Sequence, residues 1–163
     1  MLLTPEDKSR FVLFATEALA FLHEEHGFAL PAVNEGEDLW STTTVTFAGV
    51  DVGIEVDIEW KEFVLFVMLV RLDAGKIPQG DYYRSSSGEV IRIYLQAVAQ
   101  REECAVDQAI LARLRARYQN TRAHFNVEGL RAQLEDYVEI LRSCIGFILR
   151  SGKELFRESG SRG

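Results

Sequence analysis

The residues best suited to chemistry are four carboxylates that lie close together in one stretch of the chain. This acidic row consists of Asp51, Glu55, Asp57 and Glu59. Such a row can bind a hard cation such as calcium or magnesium, or it can attract a basic protein by complementary charge. It can also be the solvated outer face of an antiparallel sheet. No Asp-rich loop with a glycine turn accompanies the row, so a metal site is the least favoured of the three interpretations.

A strand must position these carboxylates, because apolar residues alternate with them. The apolar positions are Val50, Val52, Ile54, Val56, Ile58 and Trp60. A period of two places the acids on one face of a strand and the apolar side chains on the other. The preceding residues 43–47 are also strand-like, and residues 63–70 are apolar throughout, as in a strand covered on both faces. Residues 42–72 therefore predict an antiparallel meander whose third strand is the most buried.

A second group of acids precedes the meander, in a predicted loop over residues 29–41. Glu35, Glu37 and Asp38 keep this loop in water, and Trp40 near its end is suited to anchoring a contact. Residues 24–62 hold ten acids and one base, whereas residues 101–163 hold eleven bases and nine acids. The net charge of −7 argues against nucleic acid as a partner, because phosphate binding needs a positive surface.

Other reactive residue types form no recognisable metal or catalytic motif. His23 and His26 are three residues apart rather than the four of the zinc-protease helix, and His124 is distant in sequence. The serines at 85–87 lack the glycine-flanked pattern of a nucleophile elbow. We therefore expect no catalytic residue, no metal and no cofactor, and whether the protein is an enzyme stays open, leaning towards no.

Compartment and membrane association follow from the cysteines and the apolar runs. Cys104 and Cys144 are far apart and no export signal precedes them, which is typical of a cytoplasmic protein. The longest apolar run, residues 63–70, is too short to span a bilayer as a helix. The predicted C-terminal helix is apolar enough to leave an exposed patch for a dimer, so the sequence is compatible with a monomer or a homodimer.

Aromatic residues near strand ends suggest a pocket or a core. Trp60, Tyr82 and Tyr83 could line a pocket between the sheet and the helices, together with Trp40. Aromatic side chains also dominate core burial in a domain of this size, and we favour the core for this group.

Helices are predicted on either side of the meander. The first covers about residues 5–26, with Thr4 as its cap and Gly27 as its end. Residues 81–84 are a candidate edge strand, and residues 90–97 are ambiguous, with a brief strand passing into a helix near Tyr94 preferred. Two longer helices follow, over residues 105–124 and from the cap Asn126 to Gly152. Residues 1–152 thus predict a single α+β domain, with three to five antiparallel strands packed against an N-terminal helix and two to three C-terminal helices, and residues 153–163 predict a loose tail.

The order of these elements resembles a known group of proteins. A helix ending in Ala20-Phe21-Leu22-His23-Glu24-Glu25-His26-Gly27-Phe28 precedes the acidic meander, and Ile91-Arg92-Ile93-Tyr94-Leu95 and further helices follow it. This order is similar to small uncharacterised bacterial α+β proteins, some of which look like immunity proteins of polymorphic toxin systems. The resemblance implies a cytoplasmic bacterial protein without catalysis that binds an opposing protein surface, and no functional residue is carried over from it.

The leading functional hypothesis is a non-enzymatic interaction protein. It would present the acidic row and the loop acids to a basic protein partner, with Trp40 or Trp60 as aromatic anchors. The alternative is a small-molecule binder or enzyme with a pocket between the sheet and the helices.

Overall fold

The fold is a five-stranded antiparallel sheet with helices before and after it in the chain. A computed structural model describes residues 3–80, 82–119 and 126–161. The strands follow each other in space as they do in sequence, and every neighbouring pair is antiparallel. They are β1 (Ala32–Asn34), β2 (Thr43–Ala48), β3 (Val52–Glu59), β4 (Val64–Arg71) and β5 (Arg92–Tyr94). The predicted α+β class with an antiparallel meander is confirmed.

Six α-helices and one short 3-10 helix, Glu102–Cys104, complete the described chain. The brief strand that passes into a helix near Tyr94 is confirmed, because β5 ends there and a helix begins at the next residue. The α-helices are α1 (Pro5–Ala18), α2 (Ala20–His26), α3 (Leu95–Ala99), α4 (Gln108–Gln119), α5 (Val127–Ser151) and α6 (Glu154–Ser161). No helix within the described residues is both long enough and apolar enough to cross a membrane.

The first predicted helix is divided in two at Leu19. Thr4 caps α1 in a reciprocal capping box with Asp7, and Gly27 ends α2 in the left-handed conformation, as the sequence predicted. Leu19 leaves helical geometry at φ −100° and ψ 5°, although its amide still donates to Ala15 O at 3.1 Å. Because Leu19 and Leu22 are both buried, the apolar stripe continues through the break.

One face of the sheet carries the core. The inward-facing residues of β2, β3 and β4 join the apolar stripes of α1, α2 and α5 in one buried cluster. The inward-facing residues are Val45, Phe47, Ile54, Val56, Ile58, Leu65, Val67 and Leu69. The opposite face of the sheet, called the outer face below, holds the alternate residues, among them the acids of β3.

A buried amide from α5 fixes the turn between β3 and β4. The amide N–H of Leu65 donates to Gln133 Oε1 at 3.1 Å, and Gln133 Nε2 donates to Phe63 O at 3.0 Å. Phe63 has a positive φ of 48°, which few residues with side chains adopt. Because Gln133 satisfies the carbonyl of this strained residue and the amide of Leu65, the turn that follows Glu59 is held in one conformation.

The predicted loose tail from residue 153 is wrong for its first part. Residues 154–161 form α6, and Leu155 and Phe156 are only 1% and 2% exposed. Burying a large apolar side chain contributes about 1.5–3 kcal/mol to the free energy of unfolding, and a loose tail would lack this contribution. Residues 162 and 163 lie outside the described residues.

Candidate functional site: a groove on the outer face of the sheet

The acidic row divides into three environments. Asp51 lies in the turn before β3 and is exposed, at the far end of that strand from Glu59. Glu55 is buried at 3% exposure, whereas Asp57 and Glu59 are half-buried. Val50, which the alternating pattern placed on the apolar face, lies in the same turn as Asp51 and is 85% exposed. The prediction of a continuous exposed row is therefore wrong, and only Asp57 and Glu59 remain as neighbouring acids in contact with a concave surface.

Glu55 is buried because Arg92 neutralises it. Arg92 Nε lies 3.3 Å from Glu55 Oε2, and the two side chains are 3% and 4% exposed. Arg92 also donates through Nη1 to Tyr82 O at 2.8 Å and through Nη2 to Pro78 O at 3.2 Å. These bonds hold residues 73–80 and 82–91, together called the covering loop below, over the β5 end of the outer face.

A glycine in β3 lets the covering loop lie close to the sheet. A Cβ on Gly53 would stand 2.7 Å from Ile77 Cδ1 and 3.0 Å from Leu72 Cδ2. The missing side chain in the alternating pattern therefore makes room for Ile77, which covers β3 beside Glu55. Position 53 was predicted to lie on the solvated face, yet it is buried.

Beyond the covering loop, the outer face forms an open groove of about 510 Å³, called the outer groove below. The strand register explains its composition. Thr44, Asp57 and Phe66 are cross-strand neighbours on β2, β3 and β4, and they lie side by side across the groove. The described residues that line it are Asn34, Gly36, Thr42, Thr44, Asp57, Glu59, Phe66, Met68, Tyr83 and Tyr94.

Among the residues that the structure describes, the lining of the outer groove contains two acids and no basic side chain. Thr44 Oγ1 donates to Asp57 Oδ1 at 3.0 Å, which orients that carboxylate. No hydrogen bond or ion pair reaches the Glu59 carboxylate from any residue that the structure describes. Since a half-buried carboxylate is only partly screened by water, the pair gives the groove a negative potential.

Three aromatic rings form the opposite side of the outer groove. The ring centroids of Phe66 and Tyr94 are 6.1 Å apart, and those of Tyr94 and Tyr83 are 5.9 Å apart. The two tyrosine hydroxyls lie 2.7 Å from each other. This hydrogen bond, then burial, then the nearby negative charges raise the pKa of Tyr83 from its ordinary 10.0 to about 12. The Tyr83 hydroxyl is consequently neutral at physiological pH, and it forms a hydrogen bond with the Tyr94 hydroxyl at the rim.

The loop acids lie beside the groove rather than inside it. Glu35, Glu37 and Asp38 are all exposed, and Gly36 between them lines the groove. Asp38 Oδ1 accepts from the amide of Trp40 at 2.9 Å, which fixes the turn in which that residue lies. The side chain of Trp40 is 38% exposed and is absent from the groove lining.

Trp60 is a core residue, so its predicted roles as an anchor or a pocket residue are wrong. It is fully buried, its Nε1 donates to Thr43 Oγ1 at 2.9 Å, and it packs edge-on against Phe11. Lys8 Nζ lies over its ring at 5.6 Å. A hydrogen-bonded indole surrounded by core side chains offers no surface to a ligand.

The two tyrosines of the predicted pocket, Tyr82 and Tyr83, lie in different environments. Tyr82 is 69% exposed and does not line the groove, whereas Tyr83 does. The concave surface to which Tyr83 contributes lies on the outer face of the sheet and not between the sheet and the helices. Asp81, the first residue of the predicted edge strand, lies outside the described residues, and Arg84 forms only an isolated bridge with Val90.

The remaining candidate residues have structural contacts. His23 Nδ1 lies 2.6 Å from Phe28 O, and His124 lies outside the described residues. Burial raises the pKa of the Cys104 and Cys144 thiols, which disfavours the nucleophilic thiolate. Within residues 3–80, 82–119 and 126–161, no three His, Cys, Asp or Glu side chains are grouped so that they could hold a metal ion.

Comparison with models of known protein families, with curated proteins and with solved structures finds no match to this chain.

Proposed function

We propose that the protein is a non-enzymatic interaction protein that binds a basic protein partner through the outer groove. The observation that carries this proposal is the lining of the groove, in which Asp57 and Glu59 lie beside aromatic rings and none of the described lining residues is basic. Of the four acids in the acidic row, only Asp57 and Glu59 are proposed to contact the partner in the groove. Glu55 is already neutralised by Arg92, and Asp51 lies at the far end of β3. The sequence resemblance to immunity-like proteins implies the same kind of function, and we propose a cytoplasmic bacterial setting with it.

The proposed binding has two stages. The exposed acids Glu35, Glu37 and Asp38 extend the negative field beyond the groove and steer a basic surface towards it. Basic side chains of the partner then enter the groove, where water is partly excluded and charge pairs are stronger than at an open surface. Trp40, exposed in the same loop, supplies apolar contact area outside the groove.

A capture experiment with matched variants tests this proposal. The tagged wild type, D57N/E59Q and E102Q/E103Q are each incubated with a lysate of the native host at low and at moderate salt. Both double variants lose two negative charges, but Glu102 and Glu103 are exposed acids in a short turn that does not line the groove. We expect a basic protein that the wild type and E102Q/E103Q retain and that D57N/E59Q loses.

The captured protein is then purified and its affinity is measured directly. We expect D57N/E59Q to weaken binding by about tenfold or more, because two charge-assisted contacts are removed. Equal affinity of the two double variants would overturn the proposal, since net charge alone would then explain the retention. Capture that does not weaken as salt rises would also contradict it.

A second candidate is a binder of a small organic cation in the same outer groove. Its volume of about 510 Å³ falls within the usual size range of small-molecule sites. This candidate moves the expected pocket from between the sheet and the helices to the outer face. Thermal-shift measurements with polyamines and quaternary amines test it, and stabilisation of the wild type but not of D57N/E59Q would favour it over the protein partner.

A further inference from the structure

We infer that the outer groove recognises an arginine side chain in preference to a lysine side chain. This inference rests on the proposed function, because it names the group of the basic partner that enters the groove. The guanidinium would stack on Phe66 and Tyr94 and direct its N–H donors towards Asp57 and Glu59.

The strand register provides the geometry for this contact. Asp57 and Phe66 are directly opposed on β3 and β4, where the Cβ atoms of facing residues are about 4.5–5.5 Å apart. Glu59 is two residues from Asp57 on the same face, at about 7 Å along the strand. A flat cation that lies on the Phe66 ring therefore has carboxylates along one edge and the aromatic row along the other.

The aromatic row is large enough to support a planar group. Phe66 is half-buried, and Tyr94 is 40% exposed with its ring centroid 6.1 Å from that of Phe66. The hydrogen bond between the hydroxyls of Tyr83 and Tyr94 restrains both tyrosine rings. A stacking surface that is fixed before binding loses little conformational entropy when the ligand arrives.

These features favour guanidinium over ammonium. A guanidinium is planar, is weakly hydrated, stacks on aromatic faces and donates two parallel hydrogen bonds to a carboxylate. An ammonium is a strongly hydrated point charge without a face to stack. Glu59 retains acceptor capacity, because no described residue donates to its carboxylate.

Two peptides of equal charge test this inference with the full-length protein. Each is a short Gly/Ser peptide with two basic residues, and the peptides differ only in carrying Arg or Lys. Affinities are measured by calorimetry or by NMR titration at one salt concentration. We expect the Arg peptide to bind at least about fivefold more tightly, as one desolvated guanidinium–aromatic contact implies.

Two aromatic variants locate the contact. F66L removes the ring under the proposed guanidinium and should reduce the preference for Arg to within about twofold. Y82L removes an exposed tyrosine outside the groove lining and should leave the preference unchanged. E59Q, which keeps the side-chain shape, should weaken binding of the Arg peptide more than binding of the Lys peptide. This variant provides the test if F66L is too unstable for affinity measurements.

The failure of this inference is distinguishable from the failure of the proposed function. Equal affinity for the two peptides, or no binding of either, overturns the preference for arginine. The proposed function then still depends on the capture experiment with D57N/E59Q and E102Q/E103Q. If the preference for Arg persists in both F66L and E59Q, the outer groove is not its source.

Discussion

The two halves of the outer face of β3 differ although their sequences are nearly the same. Glu55, Asp57 and Glu59 follow one another at alternate positions of one strand and face the same side. At Glu55 the covering loop closes over the sheet and Arg92 forms a buried ion pair. Two residues further along, the loop has ended and the carboxylates line an open groove.

This difference shows that the role of a carboxylate depends on which distant residues the fold places beside it. Arg92 lies 37 residues after Glu55 and reaches it only because β5 is the neighbour of β4. No element that the structure describes supplies a basic residue to the Asp57 half. The first half is therefore part of the buried framework, whereas the second half lines the open outer groove.

The largest effect is expected when Arg92, the ion-pair partner of Glu55 in the buried half of β3, is replaced. R92M leaves Glu55 buried without its partner and frees the carbonyls of Pro78 and Tyr82. Breaking a buried pair by removing one member costs about 3–5 kcal/mol, so we expect a loss of this size in the free energy of unfolding. Urea unfolding followed by tryptophan fluorescence measures it.

The double variant E55M/R92M is the control for that experiment. Two apolar residues of similar volume remove the uncompensated charge, so the double variant should be more stable than R92M alone. A double variant as unstable as R92M would mean that the carbonyl contacts of the covering loop, and not the ion pair, carry the effect.

A smaller effect is expected when single carboxylates of the two halves are compared. E55Q removes a charged hydrogen-bonding partner of Arg92 in a buried site and should lower the free energy of unfolding by about 1.5–3 kcal/mol. E59Q makes the same change in the open groove and should alter stability by less than about 0.5 kcal/mol. Chemical unfolding of the two variants side by side checks this, and equal losses would contradict the division of β3 into two halves.

The sequence was sufficient to predict the three central strands of the sheet, whereas β1 lies inside the predicted loop of residues 29–41. Strict alternation at residues 52–59 and an unbroken apolar run at residues 64–70 specify strands whose register follows from burial of one face. The caps at Thr4 and Asn126 and the left-handed Gly27 also lie where local rules place them. These features depend on neighbouring residues, which a single sequence contains.

The site was predicted only in part, because its boundaries depend on contacts between distant residues. Asp57 and Glu59 were among the candidates. Phe66 was only part of a predicted buried strand, and Tyr94 lay in a segment that was ambiguous between strand and helix. Both residues join the acids only through the pairing of β3, β4 and β5. Glu55 looked equivalent to its neighbours, since nothing near it in sequence indicates Arg92. Gly53 was the one local signal, because a glycine inside a strand often marks a close approach of another segment.

The smallest expected effect concerns the rim where the two halves meet. Tyr83 belongs to the covering loop and Tyr94 to β5, and their hydrogen bond is the first cause of the raised pKa of Tyr83, about 12. Because the folded-state pKa lies above the ordinary 10.0, the bond favours folding below about pH 10, and this contribution is lost as the pH rises towards about 12.

Y94F removes the hydroxyl partner of Tyr83, so the tyrosinate absorbance of Tyr83 should appear at a lower pH, nearer to 10.0. Y83F, as the control, should remove the component that titrates near 12 altogether. A titration curve of Y94F identical to that of the wild type would show that the two hydroxyls are not bonded in solution. The aromatic side of the outer groove would then lack the restraint that distinguishes a prepared stacking surface from two mobile tyrosines.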